Sequence, residues 1–218
     1  MIISNDKRLQ ADVMNELKWE PSVDAAHIGV SAQDGAVTLN GHVPNYAVKT
    51  RAVKAAERVF GVRAVADEIE VRLPSSQKHD DSTIAEAIAQ SLTWDVDVPS
   101  NVDAEVAKGW VTLRGKVDSH YQKQAAERAV RSKAGVRGVS NVIEVSKQAK
   151  TADIQGLISA AFQRNAALDA RRIQVTSDDS TVHLYGTVHS VSEVRAAREA
   201  AYSAPGVSRV DDQLVVSP

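Results

Sequence analysis

No cysteine occurs among the 218 residues, which excludes disulfides, thiolate zinc sites and thiol chemistry, and leaves the redox compartment open. Aromatic residues make up only 4% against a hydrophobic content of 43%, so a core has to be built mostly from Val, Ile, Leu and Ala. No run approaches the ~18 apolar residues of a membrane-spanning helix. The opening MIISNDKRLQADV reaches Asp6, Lys7 and Arg8 before an apolar segment develops, so it lacks the hydrophobic stretch of a secretory signal. The expectation is a cytoplasmic protein, at most peripheral to the inner membrane. With 26 basic and 28 acidic residues the net charge is −2, which argues against a general nucleic-acid-binding protein.

Catalytic and cofactor signatures are missing too. There is no P-loop, no G-x-S-x-G elbow and no G-x-G-x-x-G. The histidines are His27, His42, His79, His120, His183 and His189, and none has the close, carboxylate-backed spacing of a metal site. They are expected on the surface or in turns. No enzyme, cofactor or metal is expected.

What the chain does contain is a repeat. AVTLNGHV at 36–43 returns as WVTLRGKV at 110–117 and TVHLYGTV at 181–188. Gly41, Gly115 and Gly186 are 74 and 71 residues apart, and each is followed 20 residues later by Gly61, Gly135 or Gly206. Around the second glycine the text is again shared, in VFGVRAV, KAGVRGV and APGVSRV. Each copy closes on an alternating apolar strand. Units of roughly 70 residues lie near the lower limit for a self-sufficient core, so contact between repeats is expected.

Each unit opens on a helix, marked by Leu9, Val13 and Leu17, by Ile84, Ile88 and Leu92, and by Ile154, Ile158 and Phe162 at helical spacing. Polar breaks at 19–24, 94–103 and 163–169 end it, two of them holding Pro21 and Pro99. Strands at 27–32, 102–107 and 172–177 then lead through tight turns into the glycine-bearing strand. Asp34-Gly35 is the strongest hairpin signal; the third turn lacks the glycine and is expected to be longer or of another type. Alternation places Gly41, Gly115 and Gly186 on the apolar side with Val37 and Leu39 and their counterparts. They are read as packing devices, where a helix backbone presses on the sheet or the strand bulges.

A second helix presents Val48, Ala52, Ala55, Ala56 and Val59 in unit one, Ala125, Ala126, Ala129 and Val130 in unit two, and Ala197, Ala200 and Ala201 in unit three. It is expected to end at the second glycine as a C-cap. The strand–helix–strand crossover predicts parallel pairing of the last two strands. The expected fold is α+β: three tandem helix–strand–strand–helix–strand units, each a three-stranded mixed sheet with two helices on one face. The units are placed at 4–73, 80–147 and 151–217, with short linkers between them.

DGAVTLNGHV…GVRAV, KGWVTLRGKV…GVRGV and STVHLYGTV…GVSRV, each with its closing strand, resemble the BON domain (bacterial OsmY and nodulation) over nearly the whole chain. The third copy departs most, with His183 where the others have threonine. The resemblance implies a non-enzymatic module associated with osmotic and envelope stress that binds phospholipid surfaces or protein partners.

Charge distribution points to where such binding would occur. From Asp80 to Glu105 there are seven acids and no Lys or Arg, whereas Lys116 to Arg137 carries six bases against two acids. In unit one, Lys49, Arg51, Lys54, Arg58 and Arg63 face only Glu57. The candidate anionic-surface residues are therefore Lys49, Arg51, Lys54, Arg58, Lys123, Arg128 and Arg131, on second helices whose attraction to an anionic membrane is about 1 kcal/mol per charge. The competing reading is electrostatic docking between neighbouring repeats, favoured by the even match of acidic and basic stretches. Trp19 and Trp94 close the first helices at matching places as candidate contact aromatics. Glu20, Asp95 and Asp97 around them favour a core cap or inter-repeat filler over an interfacial anchor; Trp110 is expected to be packed. The first expectation is attachment to anionic phospholipid, and the alternative is a chaperone-like or scaffolding protein that binds protein partners under stress.

Overall fold

The computed structural model describes residues 5–146, 153–165 and 168–217, and in it the same five elements follow one another three times. Repeat one is α1 (Asn5–Trp19), β1 (Ile28–Gln33), β2 (Ala36–Val43), α2 (Tyr46–Arg58) and β3 (Ala64–Val71). Repeat two is α3 (Asp81–Trp94), β4 (Val102–Ala107), β5 (Trp110–Val117), α4 (His120–Arg131) and a last strand in two pieces, β6 (Gly138–Asn141) and β7 (Glu144–Val145). Repeat three is α5 (Ile154–Arg164), β8 (Ile173–Asp178), β9 (Thr181–Val188), α6 (Val191–Tyr202) and β10 (Arg209–Val216). The unit ends expected at 4, 147 and 151, and residues 166–167 of the third polar break, lie outside the described residues.

The sheets are mixed, with the glycine-bearing strand in the centre of each. The hairpins β1–β2, β4–β5 and β8–β9 are antiparallel, while β6 and β7 run parallel to β5 and β10 parallel to β9. Only one parity of the central strand is buried. In repeat two, Val111, Leu113 and Val117 share a core with Ile84, Ile88 and Leu92 of α3 and with Ala125, Ala126 and Val130 of α4. Repeat three repeats the arrangement around Phe162, Leu184 and Ala197. Both helices thus lie on one side of the sheet, and alanine on the second helix allows close approach. Repeats one and three together make up one compact unit of the chain, and repeat two forms the bulk of the other.

Helix starts are specified by side chains that accept backbone N–H groups left without a partner. Asp80 accepts from Thr83 at 2.9 Å and Asp153 from Gly156 at 2.8 Å. At α6 the N-cap Ser190 is joined by Glu193, whose carboxylate reaches back past the cap to the residue before it. Ser190 Oγ accepts the Glu193 N–H at 3.2 Å, and the Glu193 carboxylate accepts His189 N–H at 2.7 Å and Asp169 N–H at 3.1 Å. Glu193 is buried, and both of its oxygens are used.

The two glycine positions differ from expectation in their cause. Gly41, Gly115 and Gly186 have φ of +115°, +134° and +128°. A Cβ there would collide with the carbonyl oxygen of His27, Asn101 or Arg172, at the entry to the facing strand of the hairpin. The crowding backbone is that of the residue entering the neighbouring hairpin strand, in repeat one the last residue of a short 3-10 helix (Ala25–His27), and not that of the long helices packed on the sheet. The second glycines are not helix C-caps, because the helices stop three or four residues earlier, at Arg58, Arg131 and Tyr202. Gly61, Gly135 and Gly206 instead take the third place of four-residue turns closed by Val62, Val136 and Val207 N–H groups onto the carbonyls of Val59, Lys133 and Ala204. That place needs positive φ, and all three lie between +87° and +89°. Val59, expected on the helix face, sits one residue beyond α2.

The third hairpin turn has the same two-residue length as the others, not a longer one, but it is of another type. Asp34-Gly35 and Lys108-Gly109 both have positive φ, whereas in Asp179-Ser180 only Asp179 does.

Candidate functional site

The structure divides the seven candidate basic residues into two kinds. Lys49 Nζ donates to the Ile69 carbonyl at 2.7 Å and lies 3.2 Å from Asp67. Lys123 Nζ makes the same bond to the Ile143 carbonyl, also at 2.7 Å. These two lysines clasp the last strand of their own repeat. Arg58 is taken up by α1, with Nε and Nη2 at 3.0 and 2.9 Å from Glu16 Oε1 and Nη2 at 3.3 Å from Glu20. Lys54 is half-buried, while Arg51 and Arg128 are exposed and Arg131 is partly so. Several basic charges are therefore matched inside their own repeat. Where repeats one and three meet, Arg195 pairs with Glu57.

Burial pushes the Lys123 ammonium below its ordinary pKa of 10.5, against an opposing pull from Glu127. The folded pKa lies below the unfolded one, so the charged form is penalised on folding. That penalty is present at neutral pH and disappears as pH rises from the folded pKa through 10.5. The neutral amine still donates to Ile143. Lys123→Met is expected to lose about 1 kcal/mol of repeat-two stability near neutral pH through the unpaired carbonyl. Urea titrations should show the advantage of the wild type over Lys123→Met growing through that alkaline window.

The tryptophans do not cap the core. Trp19 is 82% exposed and Trp94 is 76% exposed. Trp110 is half exposed, lying over the Gly138 backbone with its indole N–H donating to Ser140 Oγ at 2.9 Å. In repeat two, Trp94 is followed by Val96, which is 97% exposed. Next to them Tyr121 donates its hydroxyl to Asp97 at 2.6 Å and carries the Arg128 guanidinium 5.3 Å above its ring. The bond to Asp97 raises the Tyr121 pKa. Asp95 is occupied in turn by the Asp97 N–H at 3.0 Å. The end of α3 thus presents apolar side chains near Tyr121 at the start of α4, whose ring holds the guanidinium of Arg128 from the last turn of the same helix.

The singular histidine of repeat three is accounted for by the sheet. His183 faces Asp211 directly across β9 and β10, with Nδ1 3.0 Å from Oδ2, and this contact foremost lowers the Asp211 pKa. His27 and His42 stack with ring centroids 4.8 Å apart. Among the described residues, no group of three or more His, Cys, Asp or Glu side chains converges as a metal site, and no helix is long and apolar enough to cross a membrane.

Sequence reasoning missed Phe60, which is 63% exposed just beyond α2. With Trp19 it borders a cleft of about 940 Å3 in repeat one, floored by Leu9. Nothing in the periodicity marks Phe60. Only comparison between repeats does, because Ala134 and Pro205 occupy the corresponding places.

The model of the BON domain matches residues 5–72, 80–147 and 150–218. The chain belongs to the BON domain family. Among curated proteins, osmotically-inducible protein Y of Escherichia coli (strain K12) is 32% identical over 142 residues, covering 63% of this chain and 71% of its own. Structural alignment also finds CdsD, a structural protein of the type III secretion system of Chlamydia trachomatis. It is 14% identical, with a TM-score of 0.27 over 97% of this chain and 93% of that one. The PrgH periplasmic domain is 11% identical, with a TM-score of 0.22 over 88% and 96%. The positive-φ glycines recur in all three of its BON repeats, and the lysine clasp on the last strand in the first two.

Proposed function

We propose that this BON protein is a stress-associated binding protein without catalytic chemistry, and that it attaches to anionic phospholipid surfaces chiefly through repeat two. The supporting observation is the exposure of Trp94 and Val96 beside Tyr121 and its bound Arg128. Tryptophan and tyrosine favour the boundary between headgroups and acyl chains, and Arg128 and Arg131 supply attraction to anionic headgroups. The relative named for osmotic induction supports the association with stress. Lys49 and Lys123 have no part in the attachment, since they are spent on their own sheets.

Co-sedimentation with phosphatidylglycerol and phosphatidylcholine vesicles tests this, with Trp fluorescence as a second readout. The wild type should bind only the anionic vesicles, with a blue shift that Trp94→Ala reduces. Removing Arg128 and Arg131 should weaken partitioning roughly thirtyfold at low salt, at about 1 kcal/mol for each charge. Equal binding to both vesicles, or no binding to either, overturns the reading. Lys123 must be left intact, because its loss would mix a folding defect with a binding defect.

A further inference from the structure

We infer that the cleft of repeat one is a docking site for a segment of another protein in which a large apolar side chain is flanked by Lys or Arg. Its volume of about 940 Å3 is ample for several side chains. One wall is α1, with Asp12, Glu16 and Trp19; the other is Phe60 and Gly61 after α2 and the Asp34-Gly35 turn. Trp19 and Phe60 are exposed aromatic borders, while Leu9 beneath them is buried.

Repeat two shows that the fold does not require this hollow. A side chain added at Gly61 would meet only Leu9 Cδ1, at 3.8 Å. At the matching Gly135 it would run into Ile84 Cδ1 and Cγ1, at 2.5 and 2.6 Å. The same space is filled in one repeat and open in the other. The lining differs in chemistry as well. Aligning Leu9 with Ile84, Asp12 corresponds to Ala87 and Glu16 to Ser91; aligning the glycines, Asp34 corresponds to Lys108 and Phe60 to Ala134. Phe60, Asp12 and Glu16 are therefore particular to repeat one, whereas Trp19 has a counterpart in Trp94, Asp6 in Asp81, and Asp34 in Asp179 of repeat three.

Charge selects the occupant. Asp6, Asp12, Glu16 and Asp34 line the cleft against Arg8 and Arg63; Glu16 is already paired with Arg58 and Asp6 accepts the Asp34 N–H at 3.0 Å, so Asp12 and Asp34 are the carboxylates an occupant would meet. Arg63 Nε is engaged with the Val216 carbonyl at 3.3 Å, and Arg8 reaches Asp12 only loosely, at 3.9 Å between largely exposed side chains. An anionic headgroup would be repelled here, whereas a basic peptide finds carboxylates around an apolar seat. This cleft is separate in residues and in sign from the lipid-attaching patch of repeat two.

The test uses a fluorescein-labelled peptide, Gly-Lys-Ile-Phe-Arg-Lys-Gly, its counterpart with Glu in place of each basic residue, and phosphatidylglycerol vesicles. The full-length chain should bind the basic peptide saturably and ignore the acidic one. Phe60→Ala, which installs the residue repeat two has there, and the double variant Asp12→Asn with Asp34→Asn should each weaken binding by about tenfold or more. Both should leave vesicle binding unchanged, and the double aspartate variant should keep the wild-type melting temperature; Phe60→Ala also loses its stacking on His189, so its binding is read below its own melting transition. No saturable binding, equal binding of the two peptides, or wild-type affinity in both variants overturns the inference. Loss of vesicle binding in Phe60→Ala would overturn it too, by assigning the cleft to lipid.

Discussion

Gly115→Val is expected to destabilise repeat two by about 2–5 kcal/mol, enough to separate its melting from the rest of the chain. Two effects act together. The residue sits at φ +134°, where a β-branched side chain is strained, and its Cβ would overlap the Asn101 carbonyl oxygen. Gly115→Ala separates this account from packing against a helix. If main chain is the obstacle, alanine already incurs most of the loss, because its single carbon meets the carbonyl. If a helix were the obstacle, the loss would grow with side-chain volume, and alanine would be mild. Urea unfolding of the two variants, followed by Trp94 and Trp110 fluorescence, decides between them; near-wild-type stability for alanine would sink the main-chain account.

Phe162→Ala should remove about 3–5 kcal/mol from repeat three, since Phe162 is among the largest fully buried side chains in the chain. The more telling readout is where protection from hydrogen exchange is lost. Repeats one and three share a compact unit through the Arg195–Glu57 pair, the Arg63 bond to Val216 and the stacking of Phe60 on His189, 6.0 Å between centroids. Loosening repeat three should therefore raise exchange in α1 and α2 as well, while α3 and α4 keep their protection. Unchanged exchange in repeat one would show that these contacts do not couple the two.

The architecture was legible because its signals are local and stated three times. Leu9, Val13 and Leu17 announce a helix face without help from elsewhere, and Asp34-Gly35 announces its turn. The reason for Gly41 was not legible, because the atom it makes room for, the His27 carbonyl oxygen, is identified only by the β1–β2 register. The candidate site was legible in composition and misleading in detail. Lys49 and Lys123 count as surface charge in a sequence, but each finds a carbonyl twenty residues away. Trp19 and Trp94 look like core material to any hydropathy argument, and their exposure depends on where the helix ends relative to the sheet.

The clasped last strand has a consequence for the chain in a crowded solution. Each three-stranded sheet ends in an open edge, whose outward N–H and C=O groups could pair with a strand from another molecule. In repeat one the Ile69 N–H goes to Asp67 Oδ1 at 3.1 Å and its carbonyl to Lys49; in repeat two Ile143 is served alike by Asn141 and Lys123. The same side chains that complete the fold thus occupy the very groups an incoming strand would use. Repeat three keeps the Asp212 bond to the Leu214 N–H, at 3.0 Å, but has Val194 where the others have lysine. Of the three last strands β10 is the one without the lysine clasp, and the carbonyl held there is that of Val216, by Arg63 of repeat one.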